Sequence, residues 1–585
     1  MTRKSWLLLS VALLACQKPG DAKSGADSKD LAQGAGAAGA GAPGPSAAGD
    51  EPTPVGAVSE CPKSLAGDEK QHRVIGKQCG VVPVTGDLNI DGGSLTLEAG
   101  ATLAFKEGAG LYVGYSEGGR LIVKGTAQEP VVFTSAGDKA PGAWKGVTLY
   151  ERAARSRIEG LVIEFAGAEE SALRIEAADV TLTGSTLREI KGAAVSVGDN
   201  ARFAAFSNNT FTKIGKPGVM EVPPAALGGL GAGNRFDAGA HVLVRAGEVR
   251  ESAKWQPIGA PLVVAGEVSV DGDKGQRTTV ELLAGSELRF TEAGWLSVGY
   301  SQNATLKASG SAEAPVLFTA HERRERGGWR GLRIYGSGEA DVQHAVFEFG
   351  GQDEQGVITV DGGGSLALRA STVRENHVGL RADERAKIAA LSDNKFSDTP
   401  IAVDVPANHV GAIAAGNSFA GGARIRATAG TVQGKTTWRN LGAPIELGGE
   451  VVVDDGELTL EAGLSLLATT DGKISIGYAK RGSLIVQGSG AAPVTIAPVD
   501  GAGAWGGITF YTHAKDAALE NLVLVGVEQD PAIRIDNEAS AKLTGVKCSR
   551  CAGAVVGWDC RAQVSTSAIE AADGTPRTET RPEGC

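Results

Sequence analysis

A block of about 180 residues occurs three times in this chain, and no fold with a single unrepeated core accommodates that period. Trp144 opens Trp-Lys-Gly-Val-Thr-Leu-Tyr, Trp329 opens Trp-Arg-Gly-Leu-Arg-Ile-Tyr, and Trp505 opens Trp-Gly-Gly-Ile-Thr-Phe-Tyr. A Val/Ile-Gly-Tyr upstream recurs in step at Gly114, Gly299 and Gly477. A Gly-Asp/Glu segment ending in aspartate recurs at Gly86, Gly266 and Gly449. Like units at a fixed period stack on one another, because each alone exposes the apolar face that its neighbour would bury.

A shorter rhythm runs inside each block. Hydrophobic-x-hydrophobic cores appear at Leu173/Ile175, Val195/Val197 and Val242/Val244, then at Ile358/Val360, Val378/Leu380, Val403/Val405 and Ile425/Ala427. Period-two alternation marks strands with one buried face. Several steps are close to 22 residues, enough for three short strands and their turns. Paired hairpin signals are scarce. These features predict an all-β chain, a right-handed parallel β-helix of roughly 20 turns, which at the ~4.8 Å strand spacing is a rod about 100 Å long. Asn209, Asn234, Asn394 and Asn417 share an Asn-x-Phe pattern and are read as turn residues, each with its phenylalanine pointing inward.

Segments carry this resemblance further. Trp255-x-x-Ile-Gly-Ala-Pro and Trp438-x-x-Leu-Gly-Ala-Pro, Leu95-Thr-Leu-Glu-Ala-Gly, Glu129-Pro-Val-Val-Phe-Thr-Ser and Val162-Ile-Glu-Phe-Ala-Gly are similar to bacterial right-handed β-helix surface proteins of the pectin-lyase-like class. The resemblance covers most of residues 80–560. That class includes lyases, hydrolases and adhesins, so it implies a fold and leaves function to the side chains.

The N-terminus reads as an export signal. Arg3 and Lys4 precede a short apolar run from Trp6 that ends Leu13-Leu14-Ala15-Cys16, which resembles the bacterial lipobox and implies a lipid on Cys16. Residues 16–57 are rich in Ala, Gly, Ser and Pro and form a flexible linker. The organisation expected from the N-terminus is signal 1–15, linker 16–57, N-terminal cap 58–85, blocks 86–261, 262–444 and 445–547, and a Cys-rich cap 548–585. Localisation is then the cell envelope, with the membrane engaged through the anchor and the outer membrane favoured by Gln17. A formal charge of −11 argues against nucleic acid as a partner.

Besides Cys16 there are six cysteines, all near the two ends: Cys61 and Cys79, then Cys548, Cys551, Cys560 and Cys585. In an exported chain these read as terminal disulfides, Cys61 with Cys79, while the last four allow three connectivities. Cys548 and Cys551 align with Leu187 and Ile190 of block one, so they occupy packing positions.

Chemistry is sparse. The polygalacturonase signatures Asn-Thr-Asp, Gly-His-Gly and Arg-Ile-Lys do not occur. Glu164 and Glu348 align but lie about eight turns apart, roughly 40 Å, too far to flank one bond. His344, Glu348, Glu375 and His377 are the candidate private site of block two. The seven histidines show no metal-ligand spacing and are read as surface residues. No cofactor is expected. Acidic turns such as Asp271-Gly-Asp273 are the weak calcium candidates. Trp144, Trp329 and Trp505 are candidate sugar-stacking residues, weighed against a role in shielding the coil. The reading is a non-enzymatic envelope protein presenting a binding or adhesive surface to a polysaccharide or another surface protein. A polysaccharide lyase or glycoside hydrolase, and a passive spacer, are the alternatives.

Overall fold

The computed structural model describes residues 59–499 and 503–582; the export signal, Cys16, the linker, Cys585 and the residues around 501 lie outside the described residues. The solenoid is a parallel β-coil of about 21 turns with almost no helix. All described strand pairs along it are parallel, from Leu65–Glu69 on Val81–Ile90 at one end to Ala554–Trp558 on Arg577–Thr580 at the other. Among the described residues the one α-helix is Ala407–Val410, and no helix is long and apolar enough to cross a membrane.

The 22-residue steps are register partners on adjacent turns: Leu173 with Val195, Ile358 with Leu380, Val405 with Ala427. Other turns are longer, as where Gly110 pairs with Gly146. Inward aliphatic residues stack turn on turn, and a run of aromatic rings joins them: Phe318 on Phe347 at 4.4 Å, Phe211 on Phe236 at 5.0 Å, and Phe396 on Phe419 at 5.3 Å.

The asparagines play a different part from the one expected. Asn209, Asn234, Asn394 and Asn417 are buried. At the first three corners the left-handed residue is the predecessor of the asparagine, Asn208, Gly233 or Asp393. Asn394 Nδ2 donates to Leu368 O (2.9 Å) and to Asn417 Oδ1 (3.0 Å), and its own Oδ1 accepts from the Ser371 amide (3.0 Å). Asn209 and Asn234 repeat the arrangement in block one. The side-chain amide thus satisfies backbone groups that a sharp corner removes from the ladder, where each buried unpaired group would cost about 1–3 kcal/mol.

The three sides of the coil are not equivalent along its length. In block one the second side is built by Leu88–Ile90, Gly110–Val113, Gly146–Leu149 and their successors to His241–Val244. His241–Val244 then pairs with Leu262–Val264, the first strand of block two, whose counterpart in block one, Val81–Val84, belongs to the first side. Gly247–Val249 and Ala253–Trp255 show the same displacement. Block one therefore contains seven turns and one additional strand, the one ending at Trp255. The strand ending at Trp438 repeats the slip before Ile445. Equivalent features of successive blocks face different sides, about a third of a turn apart on a three-sided coil.

The ends are held covalently. Cys61 bonds Cys79 and Cys548 bonds Cys551, and Cys560 is disulfide-bonded as well. Cys548 is fully buried and Cys551 nearly so. The segments read as caps contribute parallel strands of their own, such as His72–Ile75 on Ser94–Leu97 and Lys547–Ser549 on Glu570–Ala572.

Candidate polysaccharide-binding face

Trp144, Trp329 and Trp505 are fully buried, which assigns them the shielding role and not the sugar-stacking one weighed against it. Trp144 stacks on Phe105 at 4.0 Å and Trp329 on Phe290 at 4.1 Å. Their indole N–H groups, and that of Trp505, donate to Glu164 O (2.9 Å), Glu348 O (2.9 Å) and Val525 O (3.0 Å) respectively. A ring enclosed on both faces offers nothing to a ligand. These residues plug the corner of the coil in each block.

The aligned glutamates are structural too. Glu348 accepts from Thr319 Oγ1 on one neighbouring turn (2.9 Å) and from Arg374 Nε and Nη2 on the other (2.8 and 2.6 Å). Glu164 does the same with Thr134 and Arg188. The block-two set does not converge: His344 precedes and Glu348 ends the strand Ala345–Glu348, about 13 Å of extended chain. His241 is buried, against expectation, with its ring 4.9 Å from that of His321, and burial pulls both imidazoles below their ordinary value. Asp271 is occupied by the Ser301 and Gln302 amides, and Asp273 lies 3.6 Å from Arg250. Among the described residues no group of three potential metal ligands occurs.

What the buried tryptophans position is the strand that follows each of them. Gly146–Leu149, Gly331–Ile334 and Ile508–Phe510 have their outward residues in register with those of adjacent turns: Tyr112, Thr148 and Arg174; Ser297, Arg333 and Thr359; Ser475, Thr509 and Arg534. In block one Tyr112, Lys145, Arg174, Glu169 and Glu170 surround a groove of about 300 Å³. In block two the corresponding groove has the half-buried Trp295 for a wall, with the exposed Arg330 guanidinium 5.0 Å from its ring.

The block-two groove continues into a charged row. Thr359 is in register with Arg381, Arg381 with Asp404, Asp404 with Arg426, and Arg426 with Glu446. Arg381 Nε lies 3.2 Å from Asp404 Oδ2, Arg426 Nη1 4.0 Å from the same oxygen, and Arg426 Nε 2.8 Å from Glu446 Oε1; Arg424 Nη1 lies 3.2 Å from Glu446 Oε2. The two signs sit at different depths. The Asp404 side chain is 1% exposed and that of Glu446 8%, whereas the Arg381 and Arg426 side chains are 40% and 34% exposed. Burial pushes the Asp404 carboxyl above its usual range, against the pull of Arg381 and Arg426, with Glu446 adding to the rise. Carboxylates beneath and guanidinium groups above leave a surface of fixed N–H donors. Arg333, paired with Asp361 at 2.6 Å, extends it toward Trp295.

Sequence reasoning passed over this row, although its signal was present. Arg333, Arg381, Asp404 and Arg426 are the middle residues of Leu-Arg-Ile, Leu-Arg-Ala, Val-Asp-Val and Ile-Arg-Ala, and the outward position of consecutive strand cores is where a lateral row must come from.

Residues 72–185 match a family model described as a pectate-lyase like beta helix domain. No curated protein matches the chain. Among solved structures, a PL6 family alginate lyase is 10% identical over 85% of this chain and 90% of the other, with a TM-score of 0.20.

Proposed function

We propose that this protein is a polysaccharide-binding β-solenoid of the cell envelope, held to the membrane by a lipid on Cys16 and engaging an acidic glycan along the Trp295-to-Arg426 face of block two. The observation that carries the reading is the row of partly exposed guanidinium groups over buried carboxylates. Arginine presents planar, paired donors suited to carboxylate groups. Their fixed orientation lowers the ordering cost of binding. Successive turns are ~4.8 Å apart, so a polymer lying along this face would meet a guanidinium on every second turn, at Arg333, Arg381 and Arg426. Trp295 supplies a flat apolar wall at one end. The chain as a whole is acidic, so the attraction is local to this face and screened by salt.

The test is binding of polygalacturonate, alginate and neutral dextran to the purified protein and to Arg330→Ala and Trp295→Ala, both chosen because their side chains reach solvent. Salt-sensitive binding of an acidic polymer, weakened about tenfold by either change, supports the reading. Equal binding of dextran, or no effect of either substitution, overturns it. A second reading, a polysaccharide lyase, draws on the pectate-lyase like match over residues 72–185. Against it, the Asp404 carboxylate lies beneath Arg381 and Arg426, where it cannot reach a bond in a polymer. Release of unsaturated ends in the same incubations would select the lyase.

A further inference from the structure

Three side chains of one kind break the pattern of this surface. Tyr115, Tyr300 and Tyr478 are 70%, 70% and 66% exposed. Each follows the glycine of the Val/Ile-Gly-Tyr repeat and occupies the same place in its block. Packing explains repetition of inward residues; it does not ask for a large ring on the outside three times. Each ring is held in place. Its edge meets a second tyrosine one turn on, Tyr150, Tyr335 or Tyr511, at 5.0, 5.0 and 5.1 Å. The turn that carries it is fastened by an aspartate of the preceding turn: Asp91 accepts from the Ser116 and Glu117 amides, Asp271 from those of Ser301 and Gln302, Asp454 from those of Ala479 and Lys480. At the middle position Gly299 has φ +70°, and a Cβ there would collide with the amide of Gly338. The first two pairs adjoin the grooves already described: Tyr150 stacks on Tyr112 at 6.4 Å, and Arg333 lies 5.3 Å from the Tyr335 ring.

The one-strand slip between blocks turns these three places away from one another. Gly110–Val113 leads into Tyr115 on the second side. Trp295–Val298 leads into Tyr300 on the third, paired with Glu267–Val270 and through it with Gly247–Val249. Lys473–Ile476 leads into Tyr478 on the first, continuing from Gly430–Val432 through Glu450–Val453. Successive pairs are seven turns and a third apart, about 35 Å along the axis. One straight polymer lying along one side of the coil meets only one of them.

We propose that the protein carries three glycan platforms, one tyrosine pair per block, directed to three sides of the coil, so that a single chain binds three separate polymer strands and cross-links them. This rests on the polysaccharide reading above. Rigid aromatic rings beside fixed polar groups stack on sugar faces at small ordering cost, and three separated sites on a stiff body convert modest affinities into avidity for a polymer network.

The test uses a galacturonate hexamer, too short to reach from one platform to the next, and long polygalacturonate immobilised on beads. Calorimetry of the purified protein should give three hexamers per chain. Tyr115→Ala, Tyr300→Ala and Tyr478→Ala should each remove or weaken one site about tenfold, with circular dichroism unchanged because the rings are largely outside the packed coil. Tyr→Phe at each position should keep its site. Bead bridging should fall with each alanine and vanish with all three. One hexamer per chain, lost only with Tyr300→Ala or Arg330→Ala, overturns the trivalent arrangement and leaves the block-two reading standing. No binding of hexamer or polymer overturns both.

Discussion

Trp329 and Trp295 lie 34 residues apart near the same groove, and opposite consequences follow from replacing them. Trp329→Ala deletes a wholly buried indole that stacks on Phe290 at 4.1 Å and donates to Glu348 O at 2.9 Å. Truncation of a buried aromatic costs about 3–5 kcal/mol. Within that figure the lost ring stack accounts for about 0.5–1.5 kcal/mol and the carbonyl left without its donor for about 1 kcal/mol or more. In a coil each turn touches only its neighbours, so the damage stays local. Hydrogen exchange should accelerate in the turns flanking Trp329 while residues near Cys61 and Cys548 keep their protection. Trp295→Ala removes a half-buried ring that supports Arg330. It should cost under about 1 kcal/mol yet weaken acidic-glycan binding about tenfold. Exchange measured by mass spectrometry, with binding measured under conditions where both variants are folded, separates the two. A Trp329→Ala protein that keeps wild-type exchange but loses glycan binding would refute the assignment of the Trp-x-Gly tryptophans to packing.

Two carboxylates of opposite tendency give a pH signature. Asp404 is raised above 3.8, so the native state holds its proton longer than the unfolded chain, and its contribution to stability falls as pH climbs from 3.8 through the raised native value; the stability of wild type relative to Asp404→Asn should therefore decline over that range in denaturant titrations. At Asp91 burial pulls the pKa upward, but the Ser116 hydroxyl and amide and the Glu117 amide overcome it and lower the value. Its contribution is thus present above 3.8 and lost as pH falls through the lowered native pKa, and Asp91→Asn should be most destabilising near neutrality. Replacing Cys61 and Cys79 by serine, 18 apart in sequence, should cost about 3 kcal/mol by loop entropy, and Cys548 with Cys551, 3 apart, only about 2 kcal/mol; the reverse order in urea midpoints would count against the entropic account. Cys16→Ala should move the protein from the membrane to the soluble fraction of fractionated cells, and unchanged retention would eliminate the lipid anchor.

The coil was legible because its signal is periodic. The pairs Leu173/Val195, Ile358/Leu380 and Val405/Ala427 are separated by one step in sequence and sit opposite one another in the ladder, since a buried row allows no slippage without turning apolar groups outward. Side chains whose meaning depends on depth were harder to place. A tryptophan before a glycine is the same in sequence whether it plugs a corner or stands over a groove, and only the Phe105 and Phe290 rings against Trp144 and Trp329 decide it. The Asn-x-Phe pattern marks the corners, but at Asn209, Asn234 and Asn394 the left-handed residue is the one before the asparagine, because the asparagine itself is needed inside as a hydrogen-bond ladder. Arg381 and Arg426 carry no signal singly. A lateral row is assembled from residues 20 or more apart, and it becomes visible only when the register is known.

The same register explains why three like blocks need not make one long binding surface. Had each block contained a whole number of turns, the strands after Trp144, Trp329 and Trp505 would form a single file, with the tyrosine pairs along one edge. The additional strand ending at Trp255 or Trp438 prevents this. Its tryptophan is buried, and the Ile-Gly-Ala-Pro or Leu-Gly-Ala-Pro that follows returns the chain to the packing pattern of Val81–Val84, now on the next side. The core tolerates the slip because all three sides are parallel ladders of similar aliphatic residues, so a strand of one side stacks on a strand of another with its hydrogen bonds intact. The surface has no such indifference, since each outward residue faces whatever side its strand occupies. A repeat that is continuous inside and rotated outside distributes equivalent sites around the coil, at the cost of two buried indole N–H groups, those of Trp255 and Trp438, that find no hydrogen-bond partner among the described residues.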